Sequence, residues 1–155
     1  MSGLSICDTI PAVKLLDADG ATIDLAAMKG APLAVYFYPK SDTPGCTTEE
    51  QDFTRLSPEF AHLKAQVLAV SRDAPAKLCK FRDKYGLTVR LASDEDGAVC
   101  EAFGTWVEKQ NYGRTYMGIE RSTFLFGADG KLAQEWRKVR VKGHADAVLE
   151  AAKAL

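Results

Sequence analysis

The chain has 155 residues, of which 46% are hydrophobic and 26% charged, and its formal net charge is −1. This size and composition predict one domain, residues 1–155, with a substantial hydrophobic core. The nearly balanced charge argues against electrostatic binding to nucleic acid or to an acidic membrane. No apolar run approaches the roughly 20 residues that span a bilayer. The first residues lack a basic start followed by an apolar stretch, so we expect no signal peptide and a cytoplasmic location.

Short strand-like and helix-like segments alternate in the first half of the chain. Apolar, β-branched runs bounded by turn residues predict strands, and apolar positions at i, i+3 and i+7 predict a helix with one buried face. In chain order we predict two short strands around an Asp-Gly turn within 13–25, one helical turn at 26–29, a buried strand at 33–38 and a helix from Cys46 to about Ser57. Pro58 is predicted to break that helix or to begin a new first turn.

The second half continues this alternation and closes with a hairpin and a helix. We predict a strand at 66–71, a helix at 74–84 capped by Asp73, a short strand at 87–91, a helix at 94–103, a polar loop at 108–118, a hairpin formed by 121–126 and 131–139, and a final helix at 146–155. Strands that alternate with helices predict a three-layer α/β fold. Its mixed central sheet is flanked by helices, and a β-hairpin stands at the N-terminus.

Cys46 is the residue on which the functional interpretation depends. It lies where a buried strand gives way to a helix with an acidic first turn, and the polar turn before it is expected to leave it exposed. Unpaired N–H groups and the positive end of the helix dipole stabilise a thiolate at such a place. The chain has four cysteines but no C-x-x-C, and neither histidine is near a cysteine in sequence. We therefore expect neither a disulfide scaffold nor a zinc site.

A thiol that reduces peroxides needs more than an ionised sulfur. The site must align the peroxide and stabilise the charge that develops on the leaving oxygen, which requires fixed hydrogen-bond donors. Thr43 offers a hydroxyl three residues before the cysteine, and Pro39 offers an apolar cover and a stiff loop. Arg121, at the entry to a predicted strand, is a plausible cation because the ends of strands border the sites of α/β folds.

These residues form a recognisable pattern. Pro39-x-x-x-Thr43-x-x-Cys46 resembles the signature of the peroxiredoxins, and the string YFYPKSDTPGCTTE resembles one subfamily, peroxiredoxin Q, also called bacterioferritin comigratory protein. Further resemblances occur in order along most of the chain, at 15–20, 71–73, 81–87, 93–97, 101–106, 118–125 and 139–144. A chance match to the short signature alone is conceivable, whereas the ordered set is highly specific.

The resemblance implies a thioredoxin-like fold and a thiol peroxidase that reduces hydrogen peroxide and organic hydroperoxides. Cys46 matches the peroxidatic nucleophile, which is oxidised to a sulfenic acid. Pro39, Thr43 and Arg121 match the family's active-site residues, and Glu49 matches an acid that orients the groups around the site. The family implies recycling by thioredoxin or a glutaredoxin-like dithiol protein, a monomer, and no metal, flavin or haem.

The cysteine that resolves the sulfenic acid is a separate question, because the sequence departs from the family here. The commonest subfamily form has its second cysteine at the position of Gln51, and another form has it at the position of Arg82. Cys79 lies one helical turn before Arg82, on the edge of the same predicted face, and is the preferred resolving cysteine. Cys100, Cys7 and an external thiol are the alternatives.

Two other functions fit a thioredoxin-like scaffold. A protein thiol–disulfide exchanger is one, although such proteins normally carry the C-x-x-C that is missing here. A non-enzymatic holdase or interaction module is the other, and it predicts that Cys46→Ser keeps function.

Overall fold

The computed structural model describes residues 4–155, which form a seven-stranded mixed sheet, a separate two-stranded hairpin and flanking helices. The strands are β1 Lys14–Asp17, β2 Thr22–Asp24, β3 Leu33–Phe37, β4 Gln66–Ser71, β5 Arg90–Ser93, β6 Trp106–Asn111, β7 Arg114–Ile119, β8 Ser122–Phe126 and β9 Leu132–Trp136. The helices are α1 Pro44–His62, α2 Pro75–Tyr85, α3 Ala98–Ala102 and α4 His144–Lys153, with a 3₁₀ turn at Leu25–Met28. The sheet order is β2-β1-β5-β4-β3-β8-β9, and β6 pairs only with β7.

Strand β3 lies inside the sheet, parallel to β4 and antiparallel to β8. All five of its residues are buried because both faces of the sheet are covered. Tyr36 faces one core, which contains apolar residues of α1, α2 and α4, and Phe37 faces the other, which contains α3 and Phe103. The predicted mixed α/β sheet with an N-terminal hairpin is confirmed, since β1 and β2 pair antiparallel around a turn that ends at Gly20.

Helix α1 is longer than predicted and runs through Pro58 to His62. The expected break is wrong because the helix buries one continuous stripe, Phe53, Leu56 and Phe60, on both sides of the proline. Burying these side chains stabilises the helix by more than the roughly 3 kcal/mol that an interior proline costs. The hydroxyl of Ser57 also donates to the carbonyl of Phe53, at 3.1 Å.

Asp73 does not cap α2. The helix begins at Pro75, with Ala74 in the capping position and no side-chain cap. The Asp73 carboxylate instead accepts hydrogen bonds from the backbone N–H of Ser41 at 2.8 Å and from the Ser71 hydroxyl at 3.1 Å. It therefore ties the loop after β3 to the end of β4, and this loop carries the candidate site.

The structure also differs from the prediction in the third quarter of the chain. The segment predicted as a polar loop is the β6–β7 hairpin, whose two-residue turn, Tyr112 and Gly113, has positive φ at both positions. The helix predicted at 94–103 is only Ala98–Ala102, because the Asp94 carboxylate stands before it and accepts from the N–H groups of Val99 and Cys100. The strand predicted at 87–91 lies at Arg90–Ser93.

Candidate active site

The loop between β3 and α1 is held at several points before it reaches the cysteine. The Tyr38 hydroxyl is 3.2 Å from the Ser41 hydroxyl, and Asp73 holds the Ser41 N–H. Asp42 has a φ of 61° and pairs with Lys84 and the Tyr85 hydroxyl of α2, at 2.8 and 2.6 Å. These contacts fix the direction in which α1 starts.

Cys46 is the third residue of α1 and is only 1% exposed. The expectation that the polar turn exposes it is wrong, because the first turn of α1 presses this side chain into the core that contains Tyr36 and Tyr38. The sulfur nevertheless has a polar neighbour. Nη2 of Arg121 donates to Cys46 Sγ at 3.2 Å.

Arg121 lies directly before β8 and connects the cysteine to the second turn of α1. Its Nη1 donates to Oε1 of Glu49, so one guanidinium spans the sulfur and a carboxylate. Burial disfavours the charge of Arg121, but Glu49 and Cys46 outweigh this effect and raise the pKa of the guanidinium above its usual value. The arginine is therefore a permanent cation at the Cys46 sulfur.

Two adjacent glutamates, Glu49 and Glu50, are buried in the second turn of α1. The predicted acidic first turn is wrong, because the helix begins at Pro44 rather than at Cys46. Burial raises the pKa of Glu49 to about 7, although Arg121 opposes the shift. Burial also raises the pKa of Glu50 well above its usual value, and the neighbouring Glu49 adds to the shift. Among residues 4–155, neither oxygen of Glu50 has a hydrogen-bond partner, and Oε2 of Glu49 has none.

The other predicted site residues lie nearby without touching the sulfur. Thr43 is partly buried, and its hydroxyl donates to the carbonyl of Lys40 at 2.8 Å and accepts no capping hydrogen bond from the helix. Pro39 is exposed at the start of the loop. The structure therefore brings Arg121 and Glu49 into direct contact around Cys46, and it places Thr43 and Pro39 on the approach to α1.

Cys79 lies partly exposed on α2, as expected from its position at the edge of the helix face. Nη2 of Arg82 lies 3.4 Å from its sulfur, and Asp83 Oδ2 lies at 3.7 Å. Cys79 packs against the same core as Cys46, whereas Cys100 belongs to the core on the opposite side of the sheet.

Cys100 and Cys7 have contrasting surroundings. Cys100 is fully buried, and burial together with Asp94 raises the pKa of its thiol. Cys7 is exposed, and its N–H donates to Leu132 of β9.

Two residues near the site escaped the sequence interpretation, Glu50 and Lys109. Lys109 is partly buried on β6, and burial, with Arg121, lowers the pKa of its ammonium group. Its stem crosses Gly118, where an added Cβ would lie 3.3 Å from Cδ of the lysine. No signal in the sequence marks either residue, since Glu50 resembles a helix-start acid and Lys109 a solvated one.

Within the described part of the chain, no helix is both long and apolar enough to cross a membrane. The same residues contain no group of three or more His, Cys, Asp or Glu side chains that could hold a metal ion.

Comparison with known proteins places this arrangement in a family. Residues 6–135 match the model of the AhpC/TSA family. The chain is 51% identical over 135 residues to peroxiredoxin Bcp of Xanthomonas campestris, covering 87% of this chain and 84% of the relative. It is 43% identical over 150 residues to peroxiredoxin Bcp of Bacillus subtilis, covering 97% and 96%.

Solved structures agree. A structure of the Xanthomonas campestris bacterioferritin comigratory protein, from work on its alkyl peroxide reduction activity, superposes with a TM-score of 0.90 at 46% identity, over 97% of this chain and 98% of that one. A cysteine-to-serine variant of peroxiredoxin Q from Xylella fastidiosa gives 0.93 at 39% identity, over 99% and 98%. The resemblance read from the sequence is thereby confirmed. The chain belongs to the AhpC/TSA family as a peroxiredoxin of the Bcp or Q type, a thiol peroxidase with the thioredoxin-like fold.

Proposed function

We propose that this chain reduces hydrogen peroxide and organic hydroperoxides with Cys46 as the nucleophile. The thiolate attacks one oxygen of the peroxide, an S–O bond forms, and the O–O bond breaks. The other oxygen leaves as hydroxide or alkoxide and takes up a proton, which leaves a sulfenic acid on Cys46. The observation that carries the proposal is the Arg121 guanidinium, which donates to the sulfur while Glu49 holds its other nitrogen.

The surrounding residues have distinct roles in this step. Arg121 stabilises the thiolate and then the negative oxygen that leaves. The Thr43 hydroxyl already donates to Lys40, so its oxygen is free to accept a hydrogen bond from the O–H of an approaching hydroperoxide. Pro39 stiffens the loop, and Glu49 positions the arginine.

Cys79 is the proposed resolving cysteine. Its thiol attacks the sulfenic sulfur, a disulfide forms and water leaves. Its partial exposure and its position on the same side of the sheet as Cys46 support this assignment over Cys100, which lies on the other side. Because Cys46 is 1% exposed, we expect the first turn of α1 to open before the two sulfurs meet.

The reductant is proposed to be thioredoxin or a glutaredoxin-like dithiol protein, acting on a monomer. The cytoplasm is the proposed location, because dithiol reductants keep thiols reduced there.

A coupled assay tests the catalytic assignment. Peroxide loss is followed with reduced thioredoxin for the wild type and for single Cys→Ser variants at positions 7, 46, 79 and 100. We expect Cys46→Ser to lose turnover entirely, and turnover that survives this change contradicts the assignment. The same variants are tested for the two other functions. Insulin reduction in the absence of peroxide tests the thiol–disulfide exchanger, and suppression of aggregation in the absence of peroxide tests the holdase.

Mass spectrometry after one equivalent of peroxide identifies the resolving cysteine. A Cys46–Cys79 disulfide is expected. A link from Cys46 to Cys7 or Cys100, or a sulfenic acid that only an external thiol consumes, assigns resolution elsewhere.

A further inference from the structure

The Glu50 carboxyl group is the least satisfied polar group near the nucleophile. Its residue is 0% exposed, and across residues 4–155 neither carboxyl oxygen has a hydrogen-bond partner. Glu50 follows Cys46 by four positions on α1, so the two side chains share one face of the helix. Neither the proposed peroxide chemistry nor the proposed disulfide uses this group.

The cation that acts on Glu50, Arg121, donates its hydrogen bonds to other groups. The titratable and charged groups that act on it or lie in its cluster are Cys46 and Glu49 on α1, Tyr36 and Tyr38 on β3, and Arg121 before β8. The two donating nitrogens of Arg121 are already taken by Cys46 and Glu49. The buried Tyr36 hydroxyl, which has no other partner among the described residues, acts on the carboxyl as a hydrogen-bonding neighbour and lowers the pKa of Glu50, but burial outweighs this effect and raises the pKa of both groups.

An isolated carboxylate in such a place is strongly disfavoured, so the group keeps its proton while α1 is closed. Burial raises the pKa of Glu50 in the same direction. Burial, and then the neighbouring Glu49, raise the pKa of Glu50 well above its usual value, and among the described residues no cation donates a hydrogen bond to it. If the first turns of α1 open, the carboxyl reaches water and ionises in its ordinary range.

Opening matters because of the position of the sulfur. Cys46 is 1% exposed, so neither Cys79 nor an external thiol can reach it while α1 is closed. The resolving step therefore includes the opening, whichever thiol performs it. The assignment of this opening to a step of the catalytic cycle rests on the proposed peroxidase function.

We propose that Glu50 is a positioning residue that couples the opening of the first turns of α1, residues 44–50, to the release of one proton, so that resolution of the oxidised Cys46 becomes faster as pH rises. The closed form binds one more proton than the open form. The open fraction therefore grows by up to about tenfold per pH unit, from the ordinary range of a glutamate until the buried group itself ionises. Glu49 acts in the same sense up to its pKa of about 7, so the comparison of Glu50→Gln with the wild type at higher pH isolates the share of Glu50.

Hydrogen exchange of the reduced protein measures the opening directly. Exchange of peptides that cover 44–50 is followed by mass spectrometry from pH 6 to pH 9 and corrected for the intrinsic dependence of exchange on pH. The wild type is expected to open several-fold more at pH 8 than at pH 7. Glu50→Gln, which has nearly the same shape and cannot ionise, is expected to remove this rise. Glu59→Gln is the matched control, because Glu59 is exposed on the same helix and is expected to keep the wild-type slope.

The rate of disulfide formation after one equivalent of peroxide is measured by stopped-flow fluorescence. It is expected to rise with pH in the wild type and in Glu59→Gln, and to lose this rise in Glu50→Gln. A Glu50→Gln protein that keeps the wild-type pH slope in both measurements overturns the proposal, as does a Glu59→Gln protein that loses it. A wild type that opens to the same extent at pH 7 and pH 8 also overturns it.

Two further measurements test the proposal independently of Glu50→Gln. Should Glu50→Gln fail to fold, Glu50→Met makes the same prediction for the slope. In the wild type alone, converting a sulfenic acid and a thiol to a disulfide and water releases no proton. Oxidation of the Cys46 thiolate by peroxide takes up one proton, so only the later phase, in which the disulfide forms, is counted. A pH indicator in weak buffer at pH 7.5 is expected to record roughly one proton released per disulfide in that phase, from the carboxyl, and no release in that phase refutes the idea. Exchange of the reduced protein needs no peroxide, so an absence of peroxidase turnover would count against the proposed function alone.

Discussion

Replacing Arg121 by lysine tests the geometry on which the catalytic proposal depends. The guanidinium reaches two acceptors at once, Cys46 Sγ at 3.2 Å and Oε1 of Glu49. A lysine ammonium is a single point and cannot reproduce this fork. One charge-assisted contact is therefore lost, which corresponds to about 1.5–3 kcal/mol for a hydrogen bond to a charged group. Since about 1.4 kcal/mol changes a rate tenfold, the reaction with peroxide is expected to slow by about 10- to 100-fold.

Stopped-flow measurement of the second-order reaction between the reduced protein and hydrogen peroxide checks this value. The reaction is followed before any resolving thiol acts, so the rate reports Cys46 alone. Arg55→Lys is the control. Arg55 is an exposed arginine of α1 whose ion pair with Asp146 lies on the surface, so the rate of this variant is expected to stay within twofold of the wild type. If Arg121→Lys also stays within twofold, the sulfur does not depend on the guanidinium and the proposed role of Arg121 is refuted.

Three further predictions concern other parts of the site. Cys79→Ser is expected to leave the first reaction with peroxide within twofold of the wild type but to abolish the intramolecular disulfide, seen as a sulfenic acid that persists in mass spectra; a normal disulfide in this variant excludes Cys79. The pKa of Glu49 is about 7 in the folded protein against an ordinary value of 4.5, so the folded state binds this proton more tightly than the unfolded state. As pH rises between the two values, the free energy of unfolding is therefore expected to fall by about 3 kcal/mol because of this group. Urea unfolding of Glu49→Gln at pH 4.5 and pH 7 is expected to lack that share of the decrease, and an unchanged decrease contradicts the assignment. Asp73→Ala leaves the Ser41 N–H and the Ser71 hydroxyl without their acceptor and is expected to lower the free energy of unfolding by about 1–3 kcal/mol, whereas a loss below 0.5 kcal/mol means that water replaces the carboxylate readily.

The central strand and the start of α1 could be predicted because local pattern and tertiary surroundings agree there. An apolar, aromatic and β-branched run at 33–38 has only one stable place, inside a sheet covered on both faces. Pro58 misled the prediction because the cost of a proline is local, whereas the gain from Phe53 and Phe60 depends on a core that the sequence does not display. The β6–β7 hairpin was missed because most of its residues are exposed, so no alternation of apolar and polar residues marks its strands.

The residues of the candidate site also differ in how far the sequence could predict them. Its chain segment around Cys46 is local and was found, but its partner, Arg121, is 75 positions away, and spacing alone could not have joined them. The place of Arg121 at the entry to a predicted strand suggested it, and the resemblance to the peroxiredoxins matched it to an active-site residue. The burial of Glu50 was not predicted, because an acid near the start of a helix is ordinarily solvated and favoured by the helix dipole. Only the packing of α1 against Tyr36 shows that it is enclosed.

On the proposed mechanism, the charges around Cys46 explain how one arrangement activates the sulfur and later releases it. One cation, Arg121, donates to Cys46 and Glu49, while Glu50 is buried beside them without a hydrogen bond from that cation. On that mechanism, the charged contact between Arg121 and the Cys46 thiolate of the reduced protein helps to hold the first turns of α1 closed. Oxidation to a neutral sulfenic acid weakens that contact, because the sulfur no longer carries the negative charge that the arginine paired with. The cost of enclosing Glu50 is unchanged by the reaction. The balance therefore shifts toward an open helix after the peroxide has reacted, which is the point in the cycle at which a second thiol needs access.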